Sequence, residues 1–114
     1  MKRLNFYPYY RELLLKRTKT TTLRLYPDNL VVGEVVMLTV GWDENEATEQ
    51  IHPARITALY PRKIGKLSTD DLLGESPDCA NPESAVYVLS CIYRQIISKE
   101  TAIWVVRFSH IDSA

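Results

Sequence analysis

The sequence has 114 residues, of which 46% are hydrophobic and 25% charged, and its formal net charge is zero. These values fit a single globular domain spanning residues 1–114 and argue against a protein that coats nucleic acid non-specifically. No apolar run approaches the ~20 residues that a transmembrane helix needs, and no apolar stretch typical of a secretory signal follows Lys2 and Arg3. Cys79 and Cys91 are too few for a disulfide framework, so we expect a cytoplasmic protein with reduced thiols.

The charges are arranged in blocks along the chain. Residues 1–27 hold seven Lys or Arg and one acid, whereas residues 28–50 hold six acids and no Lys or Arg. Residues 51–66 then hold four Lys or Arg and no acid, and residues 67–84 hold five acids and no Lys or Arg. Such blocks predict either a positive face that steers an anionic partner or blocks that neutralise one another in the fold.

The first quarter of the chain predicts a strand, a helix and a second strand. Residues 3–7 favour a short strand, and Pro8 suits the first turn of a helix. Apolar positions three and four residues apart predict an amphipathic helix over residues 9–17, with basic residues near its C-terminal end. Consecutive threonines resist a helix, so a strand over residues 20–26 follows. Its polar face comprises Thr20, Thr22, Arg24 and Tyr26, and its core face Thr21, Leu23 and Leu25.

The middle of the chain predicts a hairpin. Residues 34–42 are apolar on both faces of a strand, which is typical of a strand covered on both sides. Residues 51–61 form the returning strand, and the acidic residues 43–50 between them form an exposed loop. Gly33 supplies the permissive backbone of the turn into the first of these strands.

Two helices and a last strand complete the prediction. Residues 68–73 favour a short helix that Ser68 caps and Gly74 ends. Asn81 and the proline after it open a full helix, whose predicted buried stripe is Ala85, Leu89, Ile92, Tyr93 and Ile96. A strand over residues 103–108 follows. This order of elements predicts an α+β fold with a largely antiparallel, curved sheet or small β-barrel and flanking helices.

The segment from Lys19 to Arg24 is unusually polar for a strand in a small domain. In a catalytic interpretation, Lys19 activates Thr22 as a nucleophile and a glutamate completes the site. In a binding interpretation, Lys19 and Arg24 contact base or phosphate acceptors, threonine hydroxyls add directional hydrogen bonds, and Tyr26 or Trp42 stacks a base. In a structural interpretation, Thr20 and Thr22 pair across strands, Arg24 bridges to Glu34 and Lys19 caps the helix.

A geometric condition applies to the catalytic interpretation. Residues three apart on a regular strand point to opposite faces, so Lys19 can work with Thr22 only from the loop that precedes the strand.

The pattern of a helix, Lys-Thr-x-Thr-x-Arg, a Gly-Glu turn and an apolar strand resembles the ASCH domain family of the PUA-like superfamily. The resemblance covers residues 3–110, and its matching positions are Lys19, Thr20, Thr22, Arg24, Gly33, Glu34, Arg55, Ile56 and residues 104–108. It implies a small β-barrel with flanking helices that binds RNA.

One bacterial branch of that family hydrolyses acetylcytidine to cytidine and acetate with a lysine, a threonine three residues later and a more distant glutamate. Lys19 and Thr22 match the first two positions, and Glu75 and Glu83 are candidates for the third. The resemblance therefore implies RNA or modified-nucleoside binding at Lys19, Thr20, Thr22, Arg24 and Tyr26, or an amidohydrolase for acylated cytidine. A third hypothesis is a protein-interaction module that uses the acidic loop 43–50.

The sequence assigns no metal-binding or catalytic role to the remaining candidate residues. His52 and His110 are isolated from other ligand types, so we expect no metal site, and no cofactor is implied. Cys79 lies in an acidic loop that raises a thiol pKa, which argues against a reactive cysteine.

Overall fold

The computed structural model describes residues 1–43, 45–46 and 48–112. Within these ranges the chain forms five strands: β1 (Arg3–Phe6), β2 (Thr21–Arg24), β3 (Val35–Val40), β4 (Glu49–Lys63) and β5 (Ala102–His110). The helices are α1 (Arg11–Leu15) and α2 (Pro82–Tyr93), with 3₁₀ turns at Pro8–Tyr10, Ile64–Lys66 and Pro77–Cys79. Neither helix is long and apolar enough to cross a bilayer.

The strands form one curled, mixed sheet that makes a half-barrel, in the order β1-β3-β4-β5-β2. β1 runs parallel to β3, and each of the other neighbouring pairs is antiparallel. The long strand β4 shifts register against β5 between Ile56 and Ala58, and such a bulge increases local bend and twist. The α+β class with a largely antiparallel, curved sheet is therefore confirmed.

Both faces of the sheet are covered. Along β5, Ile103 and Val105 join one buried cluster, whereas Val106 and Phe108 join the other. This alternation explains why the strand is apolar on both faces. Leu14 of helix α1 packs into the cluster of Val106 and Phe108. Ala85 and Leu89 of helix α2 pack into the cluster of Ile103 and Val105.

The predicted helix over residues 9–17 is shorter than expected. Residues 8–10 form a 3₁₀ turn, and α1 ends at Leu15. Arg17 adopts φ +61°, and the N–H groups of Arg17 and Thr18 donate to the carbonyls of Leu14 and Leu13. These two bonds form a Schellman motif, which terminates the helix before the threonine run.

The prediction of a helix over residues 68–73 is wrong, although its capping contacts exist. Ser68 N–H donates to the carboxylate of Asp71 at 2.9 Å, and Asp71 N–H donates to Ser68 Oγ at 3.1 Å. Only one helical bond forms, from Leu72 N–H to the Ser68 carbonyl, whereas Leu73 N–H donates to Asp70 three residues back, so residues 69–74 form turns. The carbonyl of Leu73 accepts from Thr21 Oγ1 and ties the segment to β2. Gly74, with φ +84°, ends this segment beside β2.

Helix α2 begins after the predicted cap at Asn81 and ends before Ile96, the last residue of the predicted buried stripe. Asn81 and Ser84 form a reciprocal capping box. Arg94 adopts φ +52° and ends the helix, so Ile96 is fully exposed and Ile97 is buried in its place. The inclusion of Ile96 in the buried stripe was therefore wrong.

Replacing Asn81 with alanine should lower the free energy of unfolding by about 1 kcal/mol, because Ser84 N–H then loses its acceptor. Urea denaturation measures the change. Asn81→Ser, which keeps a capping oxygen, is the matched control and should retain most of the stability. Equal losses in both variants would contradict the capping role.

Candidate functional site

A cavity of about 380 Å³ opens between the end of β1, strand β2 and helix α2. Its walls come from β1, β2, the segments after β1 and β3, and one face of α2. Of the predicted site residues, those that line it are Lys19, Thr22, Arg24, Tyr26, Trp42 and Glu75. The fold therefore brings most of the predicted positions to one cavity, although their sequence separation is large.

The floor of the cavity holds a buried ion pair between Lys19 and Glu75. Each side chain is only 3% exposed. Lys19 Nζ donates to Glu75 Oε1 and, at 2.6 Å, to Ser76 Oγ. Glu75 also accepts from Leu23 N–H at 3.0 Å and from Ser76 N–H at 2.6 Å. These bonds fix the carboxylate in one orientation against the Lys19 side chain.

Lys19 lies in the loop before β2, as the strand geometry requires if it is to share a site with Thr22. Its ammonium group lies 5.0 Å from the centre of the Tyr10 ring and 5.8 Å from that of Phe6. Both distances lie within the range of cation–π contacts, so the two rings help to position the Lys19 side chain.

Gly74 positions both partners of the ion pair. Its carbonyl accepts from the N–H groups of Thr20 and Thr21 at 2.8 and 3.1 Å, and Glu75 follows it directly. A Cβ at Gly74 would overlap the hydroxyl oxygen of Thr20. Thr20 therefore packs against Gly74 rather than lining the cavity as predicted.

Thr22 and Arg24 of β2 face the cavity. Thr22 is 6% exposed, and its hydroxyl lies 3.4 Å from Arg24 Nε. The Arg24 guanidinium donates to the carbonyl of Asn5 at 2.7 Å and lies 4.9 Å from the centre of the Phe6 ring. The structural interpretation paired Arg24 with Glu34, but Glu34 instead bonds Lys2.

Aromatic rings surround the opening of the cavity. Trp42 is 61% exposed, and its ring centre lies 5.5 Å from that of Tyr7 and 5.2 Å from that of Tyr9. At the other side, Tyr26 and Tyr93 pack edge to face at 6.1 Å. Exposed, mutually supported rings of this kind can stack against a planar ligand.

The cavity carries no excess of positive charge among its described lining residues. Lys19 and Arg24 are opposed by Asp28, Asp43 and Glu75, which leaves a net charge of −1. A second cavity of about 400 Å³ adjoins the first and is more basic. It shares Asn5, Arg24, Asp28 and Asn45 with the first and adds Lys2 and Arg3.

Solved structures share this architecture, as the two matches below show. No family model and no curated protein matches the sequence. Among solved structures, the ASCH domain from Lactobacillus crispatus JV V101 is similar over 96% of this chain and 79% of its own, with a TM-score of 0.59 and 12% identity. The chain has an ASCH-type fold. A protein from Enterococcus faecalis V583 of the DUF984 family matches over 89% of this chain and 69% of its own, with a TM-score of 0.61 and 16% identity.

The structure distinguishes between the two glutamates that the sequence left as alternatives. Glu75 lies in the cavity against Lys19. Glu83 lies on the first turn of α2, is largely exposed, and pairs with Lys99 at 2.7 Å. Glu75 is therefore the glutamate that can act with Lys19 and Thr22, and its role stays a prediction.

Two further titratable side chains that line the cavity stay protonated. Tyr10 donates to Asp78 at 2.7 Å, and burial together with this bond raises the pKa of the phenol. Burial, followed by the charges of Glu75 and Asp78, raises the pKa of the Cys79 thiol to about 12. Cys79 is therefore a thiol at neutral pH, which agrees with the expectation that it is unreactive.

The two histidines contact each other, which the sequence analysis did not foresee. His52 Nε2 lies 2.7 Å from His110 Nδ1, and His110 Nε2 lies 2.8 Å from the carbonyl oxygen of Lys19. They are 58 residues apart in the sequence, and no local signal connects them. Over the described part of the chain, His, Cys, Asp and Glu side chains form no cluster of three that would hold a metal ion.

Proposed function

We propose that the cavity binds a nucleoside-like ligand, namely a modified nucleoside that is free or part of an RNA. The observation that carries this proposal is the buried Lys19–Glu75 pair at the cavity floor. A buried ion pair gives a fold little more stability than well-packed apolar residues of the same volume. When such a pair lines a cavity, recognition or chemistry of a ligand is the stronger explanation.

The chemistry of the cavity suits a nucleobase. Its volume lies within the range of roughly 300–1,000 Å³ that is usual for small-molecule sites. Lys19 supplies a donor, Glu75 an acceptor and Thr22 both, which matches the mixed donors and acceptors on the edge of a base. Trp42 and Tyr26 supply ring faces at the opening.

The charge distribution favours the base and sugar over the phosphate as the occupants of the main cavity. The lining has a net charge of −1, so a phosphate would be repelled there. In the RNA form of the proposal, the phosphates lie over the adjoining cavity beside Lys2 and Arg3. Affinity for an RNA oligonucleotide then falls as salt rises, whereas affinity for a free nucleoside changes little.

Replacing Trp42 with alanine should weaken nucleoside binding about tenfold, because base–aromatic stacking contributes about 1–3 kcal/mol. The thermal unfolding midpoint should change little, since Trp42 is largely exposed. Tyr87, which is 72% exposed and lies outside the cavity lining, provides the matched control. If Tyr87→Ala and Trp42→Ala have equal affinity for acetylcytidine in calorimetry, the stacking role is wrong.

A second candidate function is hydrolysis of an acylated amine on such a nucleoside. The observation that favours it is the presence of Thr22 in the same cavity as Lys19 and Glu75. In this mechanism Lys19 passes a proton to Glu75, and the neutral amine then takes the proton of the Thr22 hydroxyl. Thr22 Oγ1 attacks the acyl carbonyl, and Glu75 returns its proton to the departing amine. Water hydrolyses the acyl-threonine ester, which releases the acid and restores the hydroxyl.

Acetylcytidine tests this chemistry through the acetate methyl signal in proton NMR. Thr22→Val removes the nucleophile at nearly constant volume and should abolish acetate release, whereas Thr22→Ser should retain it at a lower rate. Release by Thr22→Val at the wild-type rate would exclude Thr22 as the nucleophile. Binding without release in the wild-type protein would leave recognition as the function. An interaction module acting through the loop 43–50 would be indifferent to these substitutions.

A further inference from the structure

A chain of two imidazoles ends on the backbone of Lys19. His52 lies on β4 and His110 is the last residue of β5, and their facing nitrogens are 2.7 Å apart. The other nitrogen of His110 lies 2.8 Å from the Lys19 carbonyl oxygen. A carbonyl can only accept, so His110 Nε2 carries a hydrogen. In the neutral ring Nδ1 is then an acceptor, and His52 Nε2 must donate to it.

His110 supports Lys19 in a second way. Its ring packs against Phe108 at 5.4 Å, Phe108 packs against Phe6 at 6.0 Å, and the Lys19 ammonium lies over Phe6. The same imidazole therefore holds the carbonyl of Lys19 directly and supports the ring under its charged end. The main chain of Lys19 is fixed by this hydrogen bond at its carbonyl and by a second at its N–H, which donates to the Leu13 carbonyl at 3.3 Å.

We propose that His110, oriented by His52, is a positioning residue for Lys19, and that the chain of hydrogen bonds opens when both imidazoles are protonated. A single proton leaves the chain intact, because a cationic His52 still donates to a neutral His110. A second proton places N–H groups on both facing nitrogens and brings two cations together. The link from His52 to His110 is then lost, and Lys19 is held less firmly. The consequence for ligand rests on the nucleoside-binding function proposed above.

Burial and the neighbouring charges determine the pH at which the two histidines become protonated. Arg17 from the loop after α1 disfavours a cation on either ring, whereas Asp112 after β5 favours one on His52, and these two residues pair at 2.7 Å. Burial is the largest cause that lowers the pKa of each histidine below its ordinary value of about 6.5. Because these pKa values are lower in the folded than in the unfolded protein, the neutral pair is favoured above pH 6.5. Its contribution to stability is lost progressively as the pH falls below 6.5.

The test in the free protein needs no ligand. Carbon-13 NMR of the Lys19 carbonyl and long-range nitrogen-15 spectra of the imidazoles are followed from high to low pH. We expect the Lys19 carbonyl signal to move together with the imidazole signals at a midpoint below 6.5. His110→Phe keeps the ring and removes the donor, so the carbonyl signal should then stay constant. A carbonyl that does not respond in the wild-type protein would overturn the proposal.

Acetylcytidine binding by calorimetry gives the second readout. Affinity should fall about threefold to tenfold between neutral and acidic pH, which is the equivalent of one hydrogen bond. His110→Phe should show that loss of affinity already at neutral pH. A thermal unfolding measurement checks that this variant is folded. His52→Gln, whose amide can donate or accept, should bind normally and lose the pH dependence. Wild-type behaviour in all variants would contradict the proposal. If acetylcytidine does not bind at neutral pH, the proposed function fails for that ligand, and the carbonyl titration still decides the positioning role.

Discussion

Replacing Lys19 with methionine will lower the free energy of unfolding by about 3–5 kcal/mol and abolish nucleoside binding. Methionine keeps much of the stem of the side chain but leaves Glu75 as a buried, uncompensated charge. The N–H groups of Leu23 and Ser76 still bond this carboxylate, but they carry no full charge. Urea denaturation and calorimetry with acetylcytidine measure the two effects separately.

Two controls separate the stability effect from the binding effect. The double variant Lys19→Met with Glu75→Leu removes both charges and should recover most of the lost stability without recovering binding. Lys2→Met breaks the exposed pair with Glu34 and should cost less than about 1 kcal/mol. A Lys19→Met protein as stable as wild type would show that the floor of the cavity is hydrated and that the pair is not buried.

Replacing Gly74 with alanine will lower the free energy of unfolding by about 2–4 kcal/mol. Part of the loss arises from the φ of +84°, which an L-residue adopts at a cost of roughly 1–2 kcal/mol. The rest arises because the added Cβ overlaps the Thr20 hydroxyl, and overpacking costs about 1–3 kcal/mol. Since Glu75 follows Gly74 directly, binding should weaken as well.

Gly33 provides the matched control for Gly74. It has a similar φ of +94°, but a Cβ there meets no atom within 4 Å. Gly33→Ala should therefore show only the backbone effect, about 1–2 kcal/mol, with unchanged affinity for acetylcytidine. Equal losses of stability and binding in both variants would mean that the contact between Gly74 and Thr20 does not position the site.

The sequence predicted the fold where local signals agreed with the tertiary structure. The Asn81 cap, the central hairpin and the apolar faces of the last strand all have local patterns. The resemblance to ASCH domains came from the Lys-Thr-x-Thr-x-Arg motif, the Gly-Glu turn and the strand after it, and the ASCH-type fold is confirmed. Two helix predictions failed for different reasons. The first helix ends early at a local feature, the Schellman motif at Arg17. The segment 68–74 instead makes tertiary contacts, because the carbonyls of Leu73 and Gly74 bond the start of β2.

The site could be predicted only in part, for a physical reason. Lys19 and Thr22 are three residues apart in the sequence, so their pattern is visible. The choice between Glu75 and Glu83 depends on how the turn at Gly74 meets β2, which local propensity does not determine. The contact between His52 and His110 depends on how β4 and β5 pair, so no spacing rule could have found it.

A nucleoside that occupies the cavity, as we propose, lies above the Lys19–Glu75 pair. The most direct measurement is a proton–nitrogen correlation NMR titration of the folded protein with acetylcytidine, with acetate followed in the same samples. We predict saturable shifts concentrated on the amides of Leu23 and Ser76, which bond Glu75, and on the indole N–H of Trp42. Lys19→Met should remove these shifts. Shifts that are absent at millimolar ligand, or that fall on residues far from the cavity, would contradict the account.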